Sequence, residues 1–207
     1  NVYEVTIRAS DGSLHDEQVI SVKVSNVAQA PVITSNGGGE TGSLSVQENQ
    51  TAVTTVTATD GNGDILFFMI SGGADRLEFD LNSTSGVLTF SSAPSFESPT
   101  DAGANNVYEV VVRASDGFFK AEQTLSVSVT NSNESSPVII SDGGGVDAIA
   151  NVFENQTAVT DVNATDADGD TLTYSLSGGA DQSKFSIDPS SGLLVFVSAP
   201  DFESPTD

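Results

Sequence analysis

The chain has 207 residues, no cysteine and no tryptophan, and its 29 acidic against 6 basic side chains give a formal charge of -23. That acidity works against nucleic acid or an anionic membrane as partner and in favour of divalent cations, while the lack of cysteine removes disulfides and thiolate metal sites. No apolar run approaches the roughly 20 residues of a membrane span, and no signal peptide opens the chain at Asn1, so the segment reads as an internal piece of a longer protein.

Residues 1–26 read as two strands. Tyr3, Val5, Ile7 and Ala9 alternate with Glu4, Thr6 and Arg8, a turn follows at Asp11-Gly12-Ser13, and Ile20, Val22 and Val24 then alternate with Ser21, Lys23 and Ser25. The linker Val27-Ala28-Gln29-Ala30 leads to Pro31, whose fixed φ sets a strand entry. Val32-Ile33 follows, and the glycines at 37–39 make a loop. Strands are predicted over 53–58, 65–70, 77–81 and 87–90, the last two joined by the hairpin signal Asn82-Ser83-Thr84-Ser85-Gly86. The opening pair then returns at 107–114 and 123–130, around a turn at Asp116-Gly117. A second linker, Asn131-Ser132-Asn133-Glu134-Ser135-Ser136, ends at Pro137, and the pattern restarts through Val138-Ile139-Ile140 and the glycines at 143–145.

The repeat is the main fact of the sequence. Glu48-Asn49-Gln50-Thr51-Ala52-Val53 recurs 106 residues later as Glu154-Asn155-Gln156-Thr157-Ala158-Val159. Asp60-Gly61-Asn62-Gly63-Asp64 recurs as Asp166-Ala167-Asp168-Gly169-Asp170, and residues 92–101 and 198–207 differ only at Ser95 against Asp201. No helical period appears. Short strands with turn signals between them predict an all-β chain of tandem seven-stranded Greek-key β-sandwiches, antiparallel throughout. The expected organisation is the last two strands of one repeat over 1–26, a complete repeat over 31–131, and the first strands of a third over 137–207.

Both copies resemble cadherin-type repeats, in the divergent form found in large bacterial surface proteins and adhesins. The likeness rests on Glu154-Asn155, Asp166-Ala167-Asp168, Phe185-Ser186-Ile187-Asp188 with Ser191-Gly192, and Asp201-Phe202-Glu203, with Ala114-Ser115-Asp116-Gly117 and the Asn133-Glu134 to Pro137 linker added by the complete copy. It implies calcium between consecutive repeats. At the second junction the implied ligands are Glu48, Glu97, Asn133, Glu134, Asp166 and Asp168, with Asn131 and Asp170 as further candidates. The first junction would use Asp60, Asn62 and Asp116, whereas Glu154, Asp201 and Glu203 would face a repeat beyond this chain. Asn62 stands where the motif has its second Asp, Ser95 replaces an acid, and the first linker has no carboxylate. Fewer charged ligands weaken calcium binding, so the second junction is expected to bind more tightly.

Hard cations such as calcium take six to eight oxygen ligands and tolerate irregular geometry, which suits such clusters independently of any family. The same residues also suit plain solvated turns. An EF-hand is rejected because Ser177, not Glu, stands at the twelfth position of a loop that starts with Asp166. His15 is the only histidine, so no nucleophile-and-base set can be drawn, and two carboxylates that repeat with the scaffold point to structure. The expected role is non-enzymatic: a calcium-stiffened structural or adhesive segment of an extracellular bacterial adhesin or fibre at the cell surface, partnered by neighbouring repeats. One alternative is a module that binds a cell-surface glycan or protein. Against it, Tyr3, Tyr108 and Tyr174 all fall in core-facing phases and no exposed aromatic platform is expected. Another is a filament subunit joined head-to-tail by strand complementation, as opposed to a window from a longer array.

Overall fold

The computed structural model describes residues 1–205; residues 206 and 207, at the end of the expected third repeat, lie outside the described residues. The chain forms two compact units, Asn1–Thr130 and Asn131–Asp207. No helix among the described residues is long and apolar enough to cross a membrane.

The first unit opens with the hairpin β1 (Val2–Ser10) and β2 (His15–Lys23), paired antiparallel from Val2↔Lys23 to Ser10↔His15. The complete repeat then runs through β3 (Val32–Ile33), β4 (Thr41–Gln47), β5 (Ala52–Thr55), β6 (Ala58–Thr59), β7 (Phe67–Gly72), β8 (Phe79–Leu81), β9 (Val87–Phe90), β10 (Val107–Ser115) and β11 (Lys120–Thr130). One layer has the order β4-β11-β10-β7; the other holds β5-β9-β8 and the short pair β3-β6. Alternation explains the core. Along β10 and β11 every second residue turns inward, and Tyr108, Val110, Val112, Ala114, Leu125, Val127 and Val129 meet Ile33, Val56, Phe68, Phe79, Leu88 and Phe90 from the other strands.

Several expectations need correction. β4 pairs with β11 in parallel, so the sandwich is mixed; its Leu44/Val46 alternation carried a strand signal that the neighbouring glycine run obscured. The strand predicted over 53–58 is split into β5 and β6 around Val56, whose N–H donates to the Gly86 carbonyl at 2.8 Å. The predicted 77–81 strand begins as a 3-10 turn at Arg76–Glu78, leaving Leu77 exposed, and Ile65 lies outside β7. The fold leaves both apolar residues at the surface. Exposed aromatics do occur, contrary to expectation: Tyr3, Phe118, Phe153 and Phe202 are all well exposed.

Gly86 fixes the β8–β9 turn. Its φ is +72°, and an added Cβ would collide with the Val56 carbonyl oxygen. Such positions cost a non-glycine residue about 1–3 kcal/mol from backbone strain alone. Gly86→Ala is therefore expected to lower unfolding stability by at least that amount in urea denaturation, whereas Gly37→Ala, at φ +84° in open space, loses only the strain.

The second unit begins the fold again with β12 (Val138–Ile139) paired to β14 (Ala164–Thr165), and β13 (Ala158–Asp161) in the antiparallel order β13-β16-β15, where β15 is Phe185–Ile187 and β16 is Leu193–Phe196. Segments 147–153 and 173–178, the sequence counterparts of β4 and β7, carry no strand. In the complete repeat those two strands pair with β11 and β10. Among the described residues the third repeat has no such partners, which accounts for the missing ladders.

Candidate metal centre

Each unit builds its acidic sites from the same two local devices. The first is the glutamate turn. Asn49 and Asn155 adopt left-handed backbone (φ 61° and 60°), which asparagine tolerates, and their N–H groups donate to the carbonyls of Pro94 and Pro200, both at 2.9 Å. This turn aims the preceding glutamate at the loop after the β9 or β16 strand. Glu48 is buried and its Oε2 accepts the Phe96 N–H at 2.8 Å; Glu154 accepts that of Phe202 at 3.0 Å. Carboxylate oxygens of Glu48 and Glu97 lie within 4.8 Å of one another, as do those of Glu154, Asp201 and Glu203. Ser95, which stands where the third repeat has Asp201, donates its hydroxyl to Glu97 Oε2 at 3.0 Å.

The second device is the aspartate turn. Asp60 Oδ1 accepts the Asn62 N–H at 2.7 Å, and Asp166 Oδ1 accepts that of Asp168 at 2.9 Å, with Gly63 and Gly169 both at φ +77° to close the turn. The middle residue of each turn grips the linker before it. Asp168 Oδ2 accepts the N–H groups of Glu134 (3.1 Å) and Ser135 (2.7 Å), and Asn131 donates to the Asp168 carbonyl. Asn133 donates to Asp170 Oδ2 at 2.7 Å. At the equivalent place, Asn62 Oδ1 accepts the Gln29 N–H at 2.6 Å and its amide donates to the Val27 carbonyl. Asn62 thus keeps the grip on the linker and gives up the charge.

The residues brought together are Asp166, Asp168 and Asp170 in one unit, and Asp60, Asp64 and Asp116 in the other; in each set the carboxylate oxygens lie within 4.8 Å of one another. Asp64 was not among the expected ligands, although its counterpart Asp170 was; the repeat itself carried that signal. Asp116 reaches its cluster from the β10–β11 turn. Its Oδ1 accepts the N–H groups of Phe119 (2.6 Å) and Phe118 (2.7 Å), which hold its carboxyl below the usual aspartate range. Glu134 is exposed, and its backbone N–H is what Asp168 engages.

The donor chemistry fits a hard divalent cation. The Asp clusters offer acceptor-only oxygens, and the ion pairs found among the described residues, Arg8 with Glu17 and Arg113 and Lys120 with Glu122, involve none of these aspartates. Asp60 Oδ2 is also buried without a hydrogen-bond partner, a costly condition for a carboxylate oxygen that a bound cation relieves.

No family model matches the chain. Human protocadherin Fat 4 is 32% identical over 164 residues, 73% of this chain and 3% of its own length. Human protocadherin Fat 1 is 29% identical over 93% of this chain and 4% of its own. The chain therefore spans a few per cent of the curated relatives it matches. Among solved structures, protocadherin gamma B2 extracellular cadherin domains 3-6 match 98% of this chain and 52% of that one, at TM-score 0.72 and 23% identity. Human CDH23 EC21-23 matches 98% of this chain and 66% of that one, at TM-score 0.70 and 22% identity. The fold is that of cadherin extracellular domains, and the repeats are cadherin-like.

Proposed function

We propose that this cadherin-like chain is a calcium-held adhesive segment of an extracellular protein, in which the acidic clusters fix the linkers between repeats. The observation that carries the reading is the recurrence of one arrangement: a three-carboxylate cluster beside a linker gripped by the middle residue of the aspartate turn, at both Asp60/Asp64/Asp116 and Asp166/Asp168/Asp170. Recurrence at equivalent places argues against accidental surface acidity. The likeness to Fat protocadherins and to cadherin extracellular domains supports an extracellular, adhesive, non-enzymatic role. A bacterial adhesin or fibre is the parent we favour, on the resemblance of the motifs to the divergent repeats of large bacterial surface proteins.

When bound, calcium supplies the positive charge that offsets repulsion among these carboxylates. Asp166, Asp168 and Asp170 would hold it in one unit and Asp60, Asp64 and Asp116 in the other, with Glu48, Glu97 and Glu134 and the turn of Glu154, Asp201 and Glu203 as further carboxylate donors. The 166–170 cluster binds more tightly, because its linker carries Glu134 whereas the first linker has no carboxylate. Extracellular calcium modules have dissociation constants of about 10⁻⁴ to 10⁻³ M. Thermal melting with millimolar calcium against chelator, beside equilibrium dialysis of the same chain, tests the reading. A calcium-dependent rise in Tm with saturable binding is expected; no bound calcium at millimolar concentration would sink it.

A further inference from the structure

The complete repeat carries two Asn-Gly pairs, Asn36-Gly37 and Asn62-Gly63, and the third repeat has Asp142-Gly143 and Asp168-Gly169 at the same places. The backbone is alike in both forms: φ is 54° at Asn36 and 52° at Asp142, and +77° at both Gly63 and Gly169. Each turn therefore accepts amide or acid, and the acid is what hydrolysis of the amide leaves behind. Asn-Gly is the pair in which that hydrolysis runs unaided, because glycine has no side chain to hinder its own nitrogen from reaching the asparagine Cγ. At Gly63 an added Cβ would meet no atom within 4 Å, and the residue is exposed to water.

The two pairs differ in what holds the amide. The Asn36 side chain is held from within its own repeat, by the Thr54 hydroxyl at 3.0 Å and by Ser35 and Gln123 at 3.4 Å. Asn62 is held by the first linker. Its Oδ1 accepts the Gln29 N–H at 2.6 Å, and its Nδ2 donates to the Val27 carbonyl at 3.0 Å. The Gln29 side chain lies on Gly61, where an added Cβ would collide with its Oε1. While the linker is seated, the Asn62 carboxamide is fixed on it and is not free to turn to the Gly63 nitrogen, whose N–H donates to the Asp60 carbonyl at 3.2 Å. When the linker lifts, both ties to Asn62 go with it.

We propose that Asn62 is a self-modification site, opened by release of the first linker, whose aspartate product adds a carboxylate to the cluster of Asp60, Asp64 and Asp116. The Gly63 nitrogen attacks Asn62 Cγ, and its proton passes through water to the departing nitrogen. The Cγ–Nδ2 bond breaks and ammonia leaves, closing a cyclic imide that water then opens. Cleavage of the new N–Cγ bond gives aspartate. Cleavage at the main-chain carbonyl of residue 62 gives isoaspartate, whose extra main-chain methylene disrupts the turn. The aspartate branch reproduces the acidic pattern of Asp166, Asp168 and Asp170, where the middle carboxylate lies within 4.8 Å of the other two and still accepts linker N–H groups. The effect on calcium rests on the calcium reading; the modification does not.

Peptide mass spectrometry of the whole 207-residue chain, incubated at neutral pH, reads the reaction as a gain of one mass unit, and chromatography separates the two products. Gln29→Pro removes the linker N–H that Asn62 accepts. Deamidation at Asn62 is expected in the folded parent, several-fold faster in Gln29→Pro and fastest in urea, while Asn36 keeps one rate in parent and variant. An unchanged Asn62 rate in Gln29→Pro overturns the gate. So does an equal acceleration at Asn36, which would trace the reaction to unfolding. If parent and variant keep the Asn62 amide when folded and lose it only in urea, the site is overturned, as it is by a product that is all isoaspartate. Calcium titration of Asn62→Asp and the parent, followed by NMR at the Gln29 amide, reads this cluster by itself. About tenfold tighter binding is expected from one more charged ligand, and equal affinity overturns that consequence. If neither chain binds calcium, the calcium reading fails and this consequence with it, while the rates still decide the modification.

Discussion

Asp168→Ala is expected to remove most of the calcium-dependent rise in melting temperature of the second unit and to loosen its linker even in chelator. Asp168→Asn should do only the first. The two variants separate charge from hydrogen bonding, because Asp168 is 8% exposed and its Oδ2 accepts the N–H groups of Glu134 and Ser135. Alanine leaves both donors to water, at about 1–3 kcal/mol for each that stays buried. Asparagine keeps an acceptor there, as the natural Asn62 does for Gln29. At millimolar calcium a site with a dissociation constant of about 10⁻⁴ M sees about ten times that constant, which stabilises the folded state by about 1.4 kcal/mol. For a unit of this size that is about 6–11 °C in Tm. Differential scanning calorimetry with and without calcium reads the shift, and exchange at the 134 and 135 amides reads the grip. An Asp168→Asn chain that responds to calcium as fully as the parent would remove Asp168 from the ligand set.

The comparison of Asp168 with Asn62 also marks how far the sequence could be read. Strand phase was legible wherever a strand is buried on one face: β10 and β11 were placed to within a few residues, and their inward residues are the core. The acidic clusters were legible as clusters because they recur, and Asp64 was overlooked where the complete copy has Asn62 between its acids. Long-range pairing was not legible. The parallel match of β4 to β11 joins residues some eighty positions apart, and nothing in the local alternation of Leu44 and Val46 distinguishes a parallel partner from an antiparallel one. Exposure was misjudged for a related reason. Tyr3 has the phase of a core residue, yet phase gives only the face a residue points to, and whether anything covers that face depends on strands elsewhere.

That distinction sets up the largest stability difference expected in the chain. Tyr108→Ala should destabilise the complete repeat by about 3–5 kcal/mol, the usual cost of truncating a buried aromatic ring. Its ring packs edge-on to Phe90 at 5.1 Å and to Phe79 at 6.4 Å, and its hydroxyl accepts the Thr100 N–H at 3.2 Å. The hydroxyl alone contributes about 1 kcal/mol, so Tyr108→Phe should recover most of the loss. Tyr3→Ala, the same change at the same strand position, should shift the stability of the dilute monomer by no more than about 0.5 kcal/mol, because the ring faces solvent there. Urea denaturation at low protein concentration measures all three. Equal losses at Tyr3 and Tyr108 would mean that strand position, and not burial, sets the cost of losing the ring.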